Sequence, residues 1–352
     1  MKPWGSMKLN IYGESHSEYI GLTMEVPKGI ILDDAVISHD LNRRRAGALG
    51  TTPRIEDDLP HYISGVTKGV TNGNTLEARF YNRNIRPADY DAMHTIPRPS
   101  HCDYPAYVKF GSIPTGGGRF SGRMTLPLVF AGAIARQILS RHGIAVGGHY
   151  LTIGSGSDTP FDPLNTTHEQ LNALRNADFP VITPAARADM QDVLSSLNGD
   201  SVGGCIELCA LGLPVGLGGE LWDGLESRIS SLMYAIPGVK AVEFGAGSAF
   251  ASMHGSQAND GLRVCNGRIT LQSNNSGGIQ SGMANGAPII VRVSFRPTPS
   301  IALPQHSVDL AAMENTDIAI QGRHDGCIAL RGLAAAEAAL LLGILDAFME
   351  EA

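Results

Sequence analysis

Residues Leu333–Glu350 open with Ala334-Ala335-Ala336 and carry the apolar run Ala338–Leu345, so a helix formed here has to bury one broad face or more. A chain with such an element must build layers around it. No segment offers the roughly 20 uninterrupted apolar residues of a bilayer span, so the helix reads as internal packing.

Upstream, strand patterns stand at Leu9–Gly13 and Ile20–Val26. A helix begins at Asp33-Asp34, whose carboxylates suit the positive end of its dipole, and ends in Arg43-Arg44-Arg45. Strand-like runs follow at His61–Val66 and Thr75–Phe80, and Tyr81–Pro99, rich in Asn, Pro and Arg, reads as a long loop. The spacing predicts helices over Leu126–His142, Thr167–Ala177, Pro184–Leu197 and Leu221–Ala235, and strands at Val146–Ile153, Gly204–Leu211, Val239–Phe244 and Pro288–Phe295. Strands and helices mix throughout without a linker, so residues 1–352 are expected to form one architectural unit.

With 17% charged and 43% apolar residues the chain is globular, neither disordered nor fibrous. Met1–Met7 contains no signal-like apolar run, and cytoplasmic residence is the expectation. The odd, scattered cysteines, Cys102, Cys205, Cys209, Cys265 and Cys327, suit reduced thiols, and Cys205 and Cys209 fall in a strand pattern without a second pair for zinc. A net charge of −7 argues against a nucleic-acid or membrane-surface partner. Yet 21 of the 27 basic residues are arginine, and ten of those lie between Arg43 and Arg123. Arginine holds planar anions in fixed orientation, so a locally basic pocket in an acidic protein points to a small, multiply anionic substrate.

The segment from Arg98 to Arg123 concentrates that chemistry. Arg98, His101 and Asp103 are followed by Gly116-Gly117-Gly118 and then by Arg119, Ser121 and Arg123. Glycine lets the main chain approach a ligand, arginine grips phosphate or carboxylate, and histidine moves protons near neutral pH. Part of the segment recurs: Gly117-Gly118-Arg119-Phe120-Ser121-Gly122 is echoed by Gly277-Gly278-Ile279-Gln280-Ser281-Gly282, which suggests two related halves placing similar loops about a pseudo-twofold axis. Titratable groups also stand in Gly13-Glu14-Ser15-His16 and Gly322-Arg323-His324-Asp325-Gly326, and Arg296-Pro297-Thr298-Pro299-Ser300 ends a strand pattern. No G-x-S-x-G elbow, P-loop, HExxH or dinucleotide fingerprint occurs.

Taken in order, the GESH, RRR, RPSHCD, GGGRFSGR, NNSGGI, RPTPS and GRHD strings resemble the chorismate synthase family across Gly13 to Phe348. The resemblance implies an α+β protein with a β-α-β sandwich fold and a homotetramer. It implies a lyase of the shikimate pathway that turns 5-enolpyruvylshikimate 3-phosphate into chorismate and phosphate by anti-1,4-elimination, with reduced FMN and no net redox change. Carried over by position, the proton-transfer groups are His16, His101 and Asp325. FMN contacts map to Arg119, Phe120, Ser121, Ser281, Arg296, Pro297, Thr298, Pro299, Ser300 and Arg323. Substrate anions map to Arg44, Arg54, Arg98 and Arg123, with Arg44 at a position linked to NADPH use. This chain departs from the family pattern with Ser17 for glycine, Gly50 for an arginine, Arg296 for lysine and Gly326 for proline. Two other readings stay open: a retired relative that binds FMN or phosphate without turnover, and a flavin oxidoreductase with net hydride transfer.

Overall fold

In the strand Leu76–Tyr81, Leu76, Ala78 and Phe80 are buried while Glu77, Arg79 and Tyr81 are partly or fully exposed, the period-two pattern of a sheet with one face on the core. This strand is third in a four-stranded antiparallel sheet ordered Leu9–Gly13, Tyr19–Met24, Leu76–Tyr81, His61–Ser64. A second antiparallel sheet has the order Val239–Phe244, Ile289–Phe295, Gly204–Leu211, Ala145–Ile153, Gly156–Ser157. The computed structural model describes residues 7–52, 56–84, 94–320 and 324–351.

Eight helices accompany the sheets among the described residues: α1 Asp34–Arg44, α2 Asp103–Phe110, α3 Thr125–Ser140, α4 His168–Arg175, α5 Pro184–Ser195, α6 Leu225–Tyr234, α7 Gly255–Ala258 and α8 Ala329–Glu351. Helix α3 touches both sheets, and α8 packs against α1, α3, α6 and three strands of the second sheet, giving a β-α-β sandwich of the α+β class. One apolar cluster runs through both sheets and the helices between them. Helix α8 has the length and composition of a membrane span, but 89% of its most apolar stretch is buried inside the protein, so it is a core helix. Its buried acids are both paired, Glu337 with Arg43 and Arg136 and Asp346 with Arg228. Helices α3 and α8 come close because Gly132 has no side chain: a Cβ there would stand 2.3 Å from the Cβ of Ala338.

The two sheets share a topology. In each, four antiparallel strands in chain order a, b, c, d lie side by side as a-b-d-c, with a helix between b and c and another after d. In the first half the helices are α1 and α3; in the second they are α6 and α8, with the short strand Gly156–Ser157 and α4 and α5 inserted between a and b. An internal repeat is therefore present, but the G-G-x-x-S-G echo does not mark it. The first string follows strand d, and the second, at Gly277–Gly282, precedes it.

Most expected elements stand within a few residues of their predicted ends. The segment expected to form a helix over Leu221–Ala235 splits into a 3-10 turn at Leu221–Asp223 and α6, separated by Gly224 in extended conformation. Helix α2 has no counterpart in the sequence reading. Its Tyr104, Val108 and Phe110 are exposed, so it shows no clean apolar stripe. The long loop expected over Tyr81–Pro99 falls partly at residues 85–93, outside the described residues.

Candidate active site

A cavity of about 550 Å³, within the usual range for small-ligand sites, opens where corresponding connections of the two halves meet. The segments that lead from strand d into α3 and into α8 supply Arg98–Arg123 in the first half, and Arg296–Ser300 and Asp325–Arg331 in the second. Those from the b–c helix to strand c supply Arg44–Asp58 and Tyr234–Lys240. His16 reaches in from the turn between the first two strands.

The glycine triplet seats both imidazoles. Gly116, Gly117 and Gly118 have φ of 60°, 91° and 51°, backbone that side chains other than glycine's rarely adopt. A Cβ on Gly116 would lie 2.2 Å from His16 Cε1, and one on Gly117 would lie 3.3 Å from His101 Cε1. The bare backbone thus admits two rings side by side on one loop. His16 Nδ1 lies 3.0 Å from Ser15 Oγ. The GESH turn is closed by Ser17, whose hydroxyl accepts from Glu14 N–H at 3.0 Å and lies 2.6 Å from the Tyr19 carbonyl, to which it can give its one proton, so serine at this position tightens the turn.

His101 is held by an acid and an arginine. Its Nδ1–H donates to Asp103 Oδ1 at 2.6 Å, since a carboxylate can only accept, which leaves Nε2 as the nitrogen available for chemistry. Asp103 in turn receives Arg98 through Nε at 2.7 Å and Nη2 at 2.9 Å. Burial alone would raise the Asp103 carboxyl, but the bonds from Arg98 and His101 outweigh it and hold it well below the usual range. Burial lowers the pKa of His101, outweighing the opposing pull of Asp103. Arg98 was expected on substrate anions. Its Nε and Nη2 hold Asp103 and its Nη1 lies 3.3 Å from Ser300 Oγ, while the residue lines the cavity.

Arg44 and Arg123 share one acid. Asp58 accepts from Arg44 Nη2 at 3.1 Å and from Arg123 Nη1, and all three side chains are buried. Burial lowers the pKa of Arg44 to about 9, reinforced by the neighbouring charge of Arg331, while Asp58 opposes the shift. The Nε of Arg44 is buried without a hydrogen-bond partner. Such stress on a guanidinium is relieved by an incoming anion. Asp58 itself has a φ of 54°, and strain of this kind concentrates at functional sites.

The 296–300 loop completes the wall. Arg296 donates through Nη1 to the Ser100 carbonyl at 2.6 Å, tying it to the His101 loop, and through Nε to its own neighbour Pro297 O, a pair of directed donors that a lysine does not carry. Thr298 Oγ1 is buried with no partner. Arg119 and Phe120 stand exposed at the rim, with Arg119 paired to Glu14 at 3.1 Å, and Ser121 caps the turn into Arg123. Asp325 lines the cavity together with these loops. Ser281 is not brought to this cavity: it sits in the exposed turn between Ile279–Gln280 and Met283–Ala284. Arg54 and Arg323 lie outside the described residues.

Asp103, Asp58, Thr52 and Arg331 join the site without having been assigned a role from sequence. Asp103, two residues past His101 and five past Arg98, was legible as a spacing; the other three depend on long-range packing. A pair of glycine-seated imidazoles facing buried arginines fits acid–base work on an anionic substrate.

The sequence model of the chorismate synthase family matches residues 7–349. A chorismate synthase of Lancefieldella parvula is 39% identical over 357 residues, covering 97% of this chain and 94% of the relative. That of Thermococcus gammatolerans is 38% identical over 343 residues, covering 97% and 95%. The solved structure titled "Crystal Structure of Chorismate Synthase" has the same fold, with a TM-score of 0.75 at 24% identity over 99% of this chain and 93% of that one. Sequence kinship over almost the full length and a shared fold agree, and the chain belongs to the chorismate synthase family.

Proposed function

We propose that this protein converts 5-enolpyruvylshikimate 3-phosphate to chorismate and phosphate in the described cavity, with FMN as the flavin. The observation that carries the reading is the seating of His16 and His101 on successive glycines, in a cavity whose other walls hold Asp325 and the buried arginines. The orphaned Thr298 hydroxyl and the donors around it, walled by Pro297 and Pro299, fit a flavin carrying a phosphate. Arg296, Ser300, Ser121 and Arg119 are the further residues that would hold it. When bound, reduced FMN would supply electron density to the allylic system and a basic nitrogen for the proton that leaves.

The protein's own groups do the rest. Arg44 and Arg123 orient the phosphate and carboxylates, since a fixed guanidinium pair matches a multiply charged acid. In the elimination the C3–O bond breaks with its pair leaving on phosphate, the C6–H pair becomes a new ring double bond, and the existing double bond shifts toward C3. His16 stands for the departing phosphate and can hold a proton against its oxygen. His101 moves a proton through Nε2 while Asp103 holds Nδ1–H. Asp325 is the carboxylate that assists removal of the C6 proton.

Anaerobic mixing of the protein, photoreduced FMN and the substrate tests this: chorismate absorbance and phosphate should rise together with no consumption of reducing equivalents. Binding without turnover supports the retired relative, and consumption of reductant supports an oxidoreductase. NADPH is the candidate reductant, tested by replacing photoreduction with NADPH in the same assay. Exposed Leu262, Val264 and Ile269 on one hairpin support assembly as a homotetramer. The reading places the enzyme in the cytoplasm.

A further inference from the structure

Asp325 is fastened on both oxygens. Thr52 N–H donates to Oδ1 at 2.8 Å, and Arg331 Nη1 lies 3.0 Å from Oδ2. Arg331 is itself anchored, its Nε donating to the carbonyl of Arg44 at the end of α1 at 3.1 Å. The backbone beneath is clasped as well. Gly326 N–H and Cys327 N–H both donate to the carbonyl of Gly50, at 2.8 and 3.0 Å, and Gly326 O accepts from Val202 N–H at 2.8 Å. A proline at 326 would have no N–H to give, so glycine here retains one of the two bonds to the loop that also carries Thr52.

This arrangement fixes direction as well as place. The clasp through Gly50 holds the main chain of 325–327, but a carboxylate can still rotate about its own torsions. Thr52 and Arg331 remove that freedom from opposite oxygens. We propose that Arg331 is a positioning residue for Asp325: it acts through the carboxylate, joining it to the Arg44 carbonyl so that acid and anion-binding arginine keep one relative placement. This deepens the proposed function and rests on Asp325 being the proton-handling acid. Arg331 also lines the cavity, so direct contact with a substrate anion is the competing role.

The two roles separate in a double-mutant cycle of R331Q and D325N. A positioning role predicts that R331Q lowers kcat about 10–100-fold, the cost of a small misplacement, with substrate KM little changed and no further loss when added to D325N. A rise in KM, or a loss in kcat that multiplies that of D325N, overturns it. A readout without turnover stands beside the kinetics. Amide exchange in the ligand-free protein should accelerate at Thr52 in R331Q, as it should in Asp325→Ala, while Gly326 and Cys327 stay protected by Gly50. Unchanged exchange at Thr52 overturns the proposal, and so does loss of protection at all three amides, which marks a collapsed loop. If wild type forms no chorismate while R331Q still frees the Thr52 amide, the reaction reading fails and the positioning of Asp325 stands.

Discussion

Gly116 lies so close to the ring of His16 that a single added carbon would stand 2.2 Å from Cε1. Its φ of 60° would in any case penalise a side chain. The first prediction follows: Gly116→Ala expels the imidazole while leaving the core untouched. Turnover should fall by about two orders of magnitude, the effect of a displaced proton-transfer group. Stability should drop by no more than about 2 kcal/mol, because the strain is local. Calorimetry beside steady-state assays checks this, and near-normal turnover would show that His16 is not held by this loop.

The same glycines show what the sequence disclosed and what it hid. That Arg98–Arg123 would gather around one cavity was legible, because bare backbone, imidazole and guanidinium crowd into a short span. That the glycines seat histidines was not, since His16 is a hundred residues away in sequence. The internal repeat was inferred from a string that turns out to sit at non-equivalent places; the repeat resides in strand order, which hydrogen bonding reveals and short strings do not. Glycine is common in this chain, so a six-residue echo carries little weight. Helix α8 was legible as buried, but Gly132 against Ala338 is a matter of tertiary register. That Arg98 holds Asp103 while lining the cavity was not legible, because arginine types alone do not say which acid, internal or bound, will take the guanidinium.

His101 should be neutral in the ligand-free protein at pH 7. Burial disfavours its charge and moves its pKa below the ordinary value, with Asp103 opposing. The unfolded chain then binds the proton more readily, so the stability this group contributes is complete above the ordinary pKa and is lost as pH falls through the lowered one. Titration of the ring resonance should give a midpoint below 6.5. Asp103→Asn removes the opposing pull, so the midpoint should fall further; a midpoint that rises contradicts the assigned contact.

Cys102 lines the cavity next to His101 but should be a sluggish nucleophile. Burial, with the nearby Asp103 charge, pushes its thiol up to about 11, and the thiolate is the reactive form. Iodoacetamide at pH 7 should modify exposed Cys265 well before Cys102, and labelling of Cys102 should climb steeply only at alkaline pH. Rapid modification of Cys102 at neutral pH, read by mass spectrometry of the peptides, would contradict its assigned surroundings.

Arg119 separates a stability role from a ligand role. Its side chain is 78% exposed and its partner Glu14 is 48% exposed, so their ion pair is screened by water and contributes no more than about 1 kcal/mol. Arg119→Ala should therefore leave the melting temperature within a degree or two. If Arg119 grips the flavin phosphate, losing a charge-assisted bond of about 1.5–3 kcal/mol weakens FMN binding about 10–100-fold. Glu14→Ala gives the complementary expectation, since removing the competing carboxylate frees the guanidinium and should tighten FMN or leave it unchanged. Fluorescence titration of FMN with the three proteins reads both effects. Equal affinity in all three would make Arg119 a solvated charge on the rim, and the grip on the phosphate would then fall to Arg296, Thr298 and Ser300.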